Sequence, residues 1–236
     1  ETMRSFASDN NSGVHPLVMA ALNRANTDHA LGYGDDKWTE EAVAKIKETF
    51  TQDCVPLFVF NGTGSNVVAL QLMTRPYHSI FCAETAHIYV DECGSPVKMT
   101  GCQIRPIATP DGKLTPDLVR PYLCHFGEQH HSQPGAIYIS QCSELGTVYK
   151  PDELRALTDL AHRHGMYVHM DGARLANACA ALNLGFRELT VDCGIDILSF
   201  GGTKNGLMLG ESVVVFNPAL KKEAYFVRKQ SAQLAS

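Results

Sequence analysis

The chain contains 236 residues, of which 44% are hydrophobic and 19% are charged, and its formal net charge at pH 7 is -5. This composition is typical of a soluble globular protein with one large core. Lysine and arginine form no basic stripe, which argues against a nucleic-acid partner. The apolar runs are far shorter than the roughly 20 residues of a membrane helix, and no signal segment opens the chain, so we expect no membrane association and a cytoplasmic location.

The eight cysteines and ten histidines show no spacing typical of disulfides or metal sites. The sequence has no Cys-x-x-Cys pair, no His-Glu-x-x-His motif and no quartet of cysteine and histidine at zinc spacing. The cysteines lie mostly in apolar stretches. We therefore expect reduced thiols in the core and no metal ion.

Helical patterns alternate with short apolar runs along the chain. Pro16 suits the first position of a helix, and Thr39 is the predicted N-cap of a second helix whose inner face carries Ala42, Ile46 and Phe50. Strands are predicted at 55–60, 79–82, 103–107, 136–140, 166–170, 195–199 and 208–216, and further helices at 65–73, 115–123, 151–164, 174–182 and 219–233. This alternation predicts an α/β fold, a mostly parallel seven-stranded sheet that helices cover on both faces.

Polar groups follow the ends of four of the predicted strands. They lie in the segments 61–66, 83–87, 171–174 and 200–204. Ligands of an open parallel sheet bind beyond the carboxyl ends of its strands. We therefore expect these groups to converge on one rim of the sheet, where they could act together.

Each of these groups also has a purely structural explanation. Lys204 is either a desolvated, nucleophilic amine in a crevice or a surface lysine in a glycine-rich turn. The loop 62–64 suits a phosphate at a helix start, and a plain strand-to-helix turn explains it equally well. We expect Asp171 to be buried, and either to have a cationic partner or to be neutral; its structural explanation is a helix N-cap. The structural explanation for His87 is a core histidine.

One cofactor uses all of these groups together. Pyridoxal phosphate needs a lysine for its Schiff base, a carboxylate on its pyridine nitrogen, a helix start for its phosphate and a ring against its face. An arginine for a substrate carboxylate completes the set.

Five motifs, in order along the chain, resemble those of the low-specificity L-threonine aldolase and phenylserine aldolase group of fold-type-I pyridoxal phosphate enzymes. They are Ser-Asp-Asn at 8–10, Tyr-Gly-Asp-Asp at 33–36, Asn-Gly-Thr-Gly-Ser-Asn at 61–66, His-Met-Asp-Gly-Ala-Arg-Leu at 169–175 and Ser-Phe-Gly-Gly-Thr-Lys-Asn-Gly at 199–206. The resemblance implies an N-terminal arm at 1–14 that contributes to the active site, and a large cofactor-binding domain at 15–236.

The resemblance implies a role for each matching residue. Lys204 would form the Schiff base, Asp171 would pair with the pyridine nitrogen and His87 would stack on the ring. The phosphate would be held by Gly62, Thr63 and Gly64, and the substrate by Ser8, Tyr33 and Arg174. His130, or less clearly its neighbour His131, matches a family histidine that faces the substrate's β-hydroxyl group. Arg228 and Lys229 resemble a basic pair that reaches a neighbouring subunit's site, which implies a homodimer or homotetramer with active sites at the subunit interface.

Two features depart from the family pattern. Ser140, Gln141 and Cys142 stand where many relatives have Glu-Asn-Thr, which makes Gln141 the candidate for a polar contact to the cofactor. Relatives also continue into a smaller C-terminal domain that carries a second carboxylate-binding arginine, whereas this sequence ends at Ser236. We expect that domain to be absent from this chain.

The implied reaction is cleavage of the Cα–Cβ bond of L-threonine, L-allo-threonine or a related β-hydroxy-α-amino acid such as phenylserine, to glycine and an aldehyde. His130, His87 or an ordered water would take the hydroxyl proton. The cofactor groups alone do not decide which bond breaks. Another fold-type-I enzyme, a β-eliminating lyase or an aminotransferase, therefore stays open, as does a non-catalytic cofactor-binding fragment.

Overall fold

The computed structural model describes residues 4–236, and its centre is a seven-stranded sheet. The strands are β1 (Val55–Val59), β2 (His78–Ala83), β3 (Gln103–Ile107), β4 (Gln133–Ser140), β5 (Tyr167–Gly172), β6 (Ile197–Gly201) and β7 (Glu211–Val215). Their order across the sheet is β1-β7-β6-β5-β4-β2-β3, and β7 runs antiparallel to both of its neighbours while the other pairs are parallel. The predicted α/β fold with a mostly parallel sheet is confirmed.

Helices connect the strands and cover the sheet. They are α1 (Pro16–Ala25), α2 (Lys37–Thr49), α3 (Gly62–Met73), α4 (His87–Val90), α5 (Ser95–Thr100), α6 (Pro116–Val119), α7 (Pro151–Arg163), α8 (Leu175–Leu182), α9 (Pro218–Lys221) and α10 (Ala224–Gln230). Short 3-10 turns lie at Asp9–Asn11, Arg120–Tyr122, Val191–Cys193 and Thr203–Asn205. In the described part of the chain, no helix is both long and apolar enough to cross a bilayer.

The sheet separates two hydrophobic clusters because successive strand residues point to opposite faces. In β4, Ile137 and Ile139 join one cluster, and Ala136 and Tyr138 join the other. The leucines of α7 cover the first face, whereas α3, which is buried along most of its length, covers the second. A strand with both faces covered reads as a continuous apolar run, which is why β4 was recognisable in the sequence.

Several element boundaries differ from the prediction. The N-cap of α2 is Asp36 rather than Thr39, and its carboxylate accepts both the N–H of Thr39 at 2.9 Å and the hydroxyl of Thr39 at 2.7 Å. A charged carboxylate suits the positive end of the helix better than a hydroxyl does. The predicted helix at 115–123 gives way to a 3-10 turn after Val119, where Pro121 supplies no N–H. The predicted last helix is divided into α9 and α10, and the short helices α4 and α5 were not predicted.

The cysteines are free thiols, and five of the eight are buried. Burial raises the pKa of Cys82 to about 12 and that of Cys179 to about 11. These thiols therefore stay protonated at neutral pH and act as small apolar groups of the core.

Asp196 fixes the strand register at the amino ends of the two strands that lead to the candidate site. Its buried carboxylate accepts the N–H of Val168 at 2.7 Å and the side-chain amide of Asn217 at 2.6 Å, and it lies 2.9 Å from Nε2 of His162. Its backbone carbonyl accepts the N–H of Phe216 at 2.9 Å. One residue thus links the start of β5, the start of β6 and the end of β7.

We expect the contribution of His162 to stability to depend on pH. The hydrogen bond to Asp196 raises the pKa of His162 against the opposing effect of burial. A histidine whose pKa is higher in the folded state stabilises the fold at pH values below its ordinary pKa of 6.5. This stabilisation is lost as the pH rises through the pKa of the folded state. His162→Gln should therefore lower the free energy of unfolding more below pH 6.5 than well above it, as measured by urea denaturation. Equal losses at both pH values would contradict the ion pair.

Candidate active site

A cavity of about 270 Å³ opens at the carboxyl ends of the parallel strands. Each group that follows a strand reaches it from a different element: the start of α3, the start of α4, the end of β5 and the turn after β6. The side chains brought together include Thr63, His87, Asp171, Arg174 and Lys204. The strand-end argument therefore identified the correct rim of the sheet.

Asp171 lies in β5 and keeps its charge without a cation. Its carboxylate accepts hydrogen bonds from the hydroxyl of Tyr138 at 2.7 Å, the side-chain amide of Asn66 at 3.0 Å and the N–H of Ala173 at 3.0 Å. Burial alone would raise the pKa of Asp171, but these three donors hold it below its ordinary value. Within residues 4–236 the carboxylate has no cationic hydrogen-bond partner, and these neutral donors take that place.

A layer of buried polar side chains supports the floor of the cavity. The hydroxyl of Ser199 accepts from Ser65 at 2.8 Å, donates to the amide oxygen of Asn66 at 2.9 Å and lies 2.9 Å from Nε2 of His169. Burial lowers the pKa of His169 to about 4, so this ring is neutral at physiological pH. The layer ties α3 to β5 and β6 and holds Asn66 in place to bind Asp171.

His87 is fixed in orientation by a buried carboxylate. Its Nδ1 lies 2.7 Å from Oε1 of Glu92, which also accepts the amide of Asn66 at 2.8 Å. The Glu92 side chain is fully buried, and among the described residues its second oxygen has no hydrogen-bond partner. The hydrogen bond to Glu92 raises the pKa of His87 against the effect of burial. The ring thus presents its Nε2 edge while Nδ1 is engaged.

The start of α3 leaves two backbone donors for a ligand. Asn61 caps the helix, since its side chain accepts the N–H of Gly64 at 2.7 Å and its carbonyl accepts the N–H of Ser65 at 3.0 Å. The first N–H groups of a helix have no intrahelical partner, so those of Gly62 and Thr63, which both line the cavity, remain to bind an anion. The N–H of Gly64 is already engaged, and Gly64 does not line the cavity.

Lys204 lies in the 3-10 turn between β6 and β7, half-buried in the cavity wall. The turn is held by the side-chain amide of Asn205, which donates to the carbonyl of Gly201 at 2.9 Å, and by Glu211, which accepts the N–H of Thr203 at 3.3 Å. Gly201 is needed because a Cβ there would lie 2.8 Å from the Cα of Ala173. Close contact with the backbone of the β5 turn therefore fixes the direction in which Lys204 leaves the sheet.

Arg174 meets the N-terminal arm at the cavity. Its Nε and Nη2 donate to the two carboxylate oxygens of Asp9 at 2.6 and 3.2 Å. This pair uses the side edge of the guanidinium, so Nη1 and the outer hydrogen of Nη2 stay available for a second carboxylate. Ser8 itself does not line the cavity, whereas Asn10 does. The hydroxyl of Ser8 accepts the N–H of Asn10 at 3.2 Å.

The structure does not bring Gln141 to the cavity. Its side chain is fully buried and exchanges two hydrogen bonds with the backbone of Tyr149, at 2.9 and 3.0 Å. The polar groups that line the cavity here are Ser140, at the end of β4, and Cys142 and Glu144, in the loop that follows. A cofactor contact through the amide of Gln141 is therefore withdrawn.

His130 lies at the opposite edge of the sheet. It precedes β4, whose carboxyl end contributes Ser140 to the cavity. The seven steps along the eight residues of β4 separate its two ends by about 23 Å. His130 and His131 are both exposed and do not line the cavity. Within one chain, His130 and His131 therefore do not reach the β-hydroxyl group of a substrate in the cavity, because strand direction places the loop beyond the amino end.

Tyr33 lines a second hollow, of about 330 Å³, beside the edge strand β1. The ammonium of Lys229 is 5.3 Å from the ring centre of Tyr33, and Arg228 lines the same hollow. Burial lowers the pKa of Arg228. Within one chain these residues do not join the Lys204 cavity.

Comparison with known proteins agrees with this arrangement. The Beta-eliminating lyase family model matches residues 5–235. A low-specificity L-threonine aldolase from Pseudomonas sp. (strain NCIMB 10558) is 43% identical over 234 residues, which cover 99% of this chain and 68% of that protein. The Saccharomyces cerevisiae enzyme of the same name is 28% identical over 236 residues, which cover 95% of this chain and 58% of that protein. A Leishmania major threonine aldolase structure superposes with a TM-score of 0.92 at 31% identity, covering 98% of this chain and 67% of that one. The chain belongs to the beta-eliminating lyase family.

Sequence reasoning missed the side chains that support the site of this beta-eliminating lyase. Glu92, Asn66, Tyr138 and Glu211 are all buried and lie at or beneath the cavity. The sequence did contain a signal for Glu92: it is a carboxylate only five residues after His87, close enough along the chain to pair with that imidazole. Tyr138 had none, because a tyrosine inside an apolar strand cannot be distinguished from a core residue.

We expect Glu92→Gln to lower the pKa of His87. The neutral amide keeps the shape of the side chain and removes the charge that stabilises the imidazolium. An NMR titration of the His87 ring, assigned with a His87→Asn variant, measures the change. Glu84→Gln, the same substitution at an exposed position nearby, is the matched control and should leave the titration unchanged. An unaltered midpoint in Glu92→Gln would refute this coupling.

Proposed function

We propose that the protein is a pyridoxal phosphate-dependent aldolase that cleaves L-threonine, L-allo-threonine or a related β-hydroxy-α-amino acid to glycine and an aldehyde. The supporting observation is that the Lys204 amine, the ionised Asp171 carboxylate and a helix N-terminus line one cavity. The identity to the low-specificity L-threonine aldolases of Pseudomonas supports the substrate class. The cytoplasmic location stays a prediction.

The residues of the cavity fit pyridoxal phosphate. The half-buried Asp171 accepts only neutral donors and faces the cavity with its remaining lone pairs, so it suits a protonated ring nitrogen. The unengaged N–H groups of Gly62 and Thr63 suit the phosphate. His87 would lie against the ring and Lys204 would bind the aldehyde. When bound, the cofactor supplies the electron-accepting ring that takes up the electron pair released from the Cα–Cβ bond.

The protein's own groups then select the bond and move the proton. Arg174 holds the substrate carboxylate on its outer edge while Asp9 holds the guanidinium still, which fixes the orientation of the Cα substituents. Asp171, whose pKa is held below its ordinary value, would face the ring nitrogen as a carboxylate and favour its protonated form. Among the histidines of residues 4–236, His87 alone lines the cavity, so we assign it to take the β-hydroxyl proton at Nε2.

Lys204→Ala should abolish aldol cleavage, lowering the rate by about a thousandfold or more. The test measures glycine and acetaldehyde from L-threonine, and borohydride reduction of the native protein followed by peptide mapping should place the cofactor on Lys204. The matched control is Lys222→Ala, at an exposed lysine outside the cavity, which should keep full activity. Formation of a 2-keto acid without glycine would assign the protein to an eliminating lyase or an aminotransferase instead.

We further propose that two copies of the chain form the working unit. Helix α1 has no buried residue and exposes 73% of Leu17 and 43% of Leu22, and Trp38 in α2 is 40% exposed. A helix that buries none of its apolar side chains within its own chain is a candidate contact surface. The hollow lined by Tyr33 and Arg228, with Lys229 beside Tyr33, would then face the neighbouring subunit's cavity, which gives these residues the role that their motifs imply.

Mixing two inactive variants tests this shared site. If Arg228 serves the neighbouring cavity, Lys204→Ala and Arg228→Ala are each nearly inactive alone, and their mixed dimers contain one native site. Random exchange would then restore roughly a quarter of the native activity. No recovery after verified subunit exchange, or a fully active Arg228→Ala variant, would contradict the proposal.

A further inference from the structure

The loop before β4 contains three candidate metal ligands side by side. His125, Glu128 and His131 each offer a ligand atom, and these atoms all lie within 4.8 Å of one another. Within the described residues this is the one such group of three or more. The spacing His-x-x-Glu-x-x-His matches none of the zinc patterns searched in the sequence, so the group was not predicted.

A single side chain organises the loop around this cluster. The amide nitrogen of Gln133, the first residue of β4, lies within hydrogen-bond distance of the carbonyls of His125 (3.2 Å), Glu128 (3.1 Å) and His131 (2.9 Å). Its amide oxygen accepts the N–H of Gly127 at 2.8 Å. The backbone of every candidate ligand is therefore fixed to the start of the sheet, and the three side chains need little ordering to act together.

Both imidazoles lie beside the same carboxylate. The rings of His125 and His131 stack with centres 4.0 Å apart and an interplanar angle of 16°. One oxygen of Glu128 lies 3.0 Å from Nδ1 of His125 and 3.5 Å from Nε2 of His131. The three candidate ligand atoms therefore face one another across a short distance.

We propose that His125, Glu128 and His131 bind a divalent transition-metal ion, with Zn²⁺ as the best fit. Two imidazoles and one carboxylate favour zinc and its neighbours over calcium or magnesium. Tetrahedral zinc at about 2.0 to 2.1 Å from each ligand requires ligand atoms about 3.4 Å apart. The three side chains are exposed, so the stacked rings are free to turn toward a common point, and water or a group from another molecule would fill the fourth position.

The position of the site predicts a structural role. The loop lies at the amino edge of the sheet, and the ring of Phe126 stacks on that of His164 at the end of α7, just before β5. A bound ion would tie the entry to β4 in place about one strand length from the Lys204 cavity. The site therefore does not depend on the proposed aldolase activity, and either one can fail without the other.

Zinc titration of the tag-free, cofactor-loaded protein tests the site, with a chromophoric chelator as competitor. We expect one equivalent of Zn²⁺ to bind, and His125→Ala or His131→Ala to weaken binding at least about tenfold. His130→Ala removes an exposed imidazole from the same loop but outside the cluster, and Cys124→Ser removes the neighbouring thiol. Both of these variants should bind zinc as the native protein does. Circular dichroism checks that every variant is folded.

Three outcomes would overturn the proposal. They are no zinc binding in competition with the chelator, equal loss in His130→Ala and His131→Ala, or binding that disappears with Cys124→Ser while His125→Ala retains it. Gln133→Ala gives a further measurement, because freeing the loop backbone should weaken zinc binding while all three ligands remain.

Discussion

The site depends on keeping one half-buried carboxylate charged at the floor of the cavity. Burial opposes the charge of Asp171, and three neutral donors from three parts of the fold overcome that opposition. Tyr138 reaches it from the neighbouring strand β4, and Asn66 reaches it from α3. The chemistry of the cavity therefore rests on the strand register and on the packing of α3, and not on Asp171 alone.

The reversed strand β7 explains how the lysine is held. Strands β6 and β7 form an antiparallel pair in which Gly201 lies opposite Glu211, so the connection between them begins and ends at the same edge of the sheet. Lys204 lies inside this short connection, so its position along the edge of the sheet is more restricted than it would be in a long crossover. At the other end of the same strands, Asp196 links three strand termini and prevents a shift of register. A slip of one residue would turn every side chain of β6 to the other face.

Strand-end reasoning predicted the convergence of the four polar segments, because a parallel sheet imposes it whatever the details of packing. It failed where position depends on tertiary contacts. Gln141 directly follows the end of β4, at the same edge of the sheet as Asp171. The amide of Gln141 nevertheless turns inward and bonds to the backbone of Tyr149. His130 matched a family motif, but the direction of β4 places it at the far edge. Tyr33 depends on an edge strand whose place in the sheet order cannot be read from local sequence.

The cavity contains a second carboxylate, Glu211, whose environment shifts its pKa in the opposite direction to that of Asp171. Burial raises the pKa of Glu211, and the hydrogen bonds from Thr203 oppose this only in part, whereas three donors hold the pKa of Asp171 down. The number of donors decides the difference, since both groups lie at the cavity. Pairs of titratable groups whose surroundings separate their pKa values are the usual basis of distinct protonation roles. Asp171 is thus the carboxylate that stays ionised more readily, and Glu211, beside the lysine turn, is the carboxylate that accepts a proton more readily.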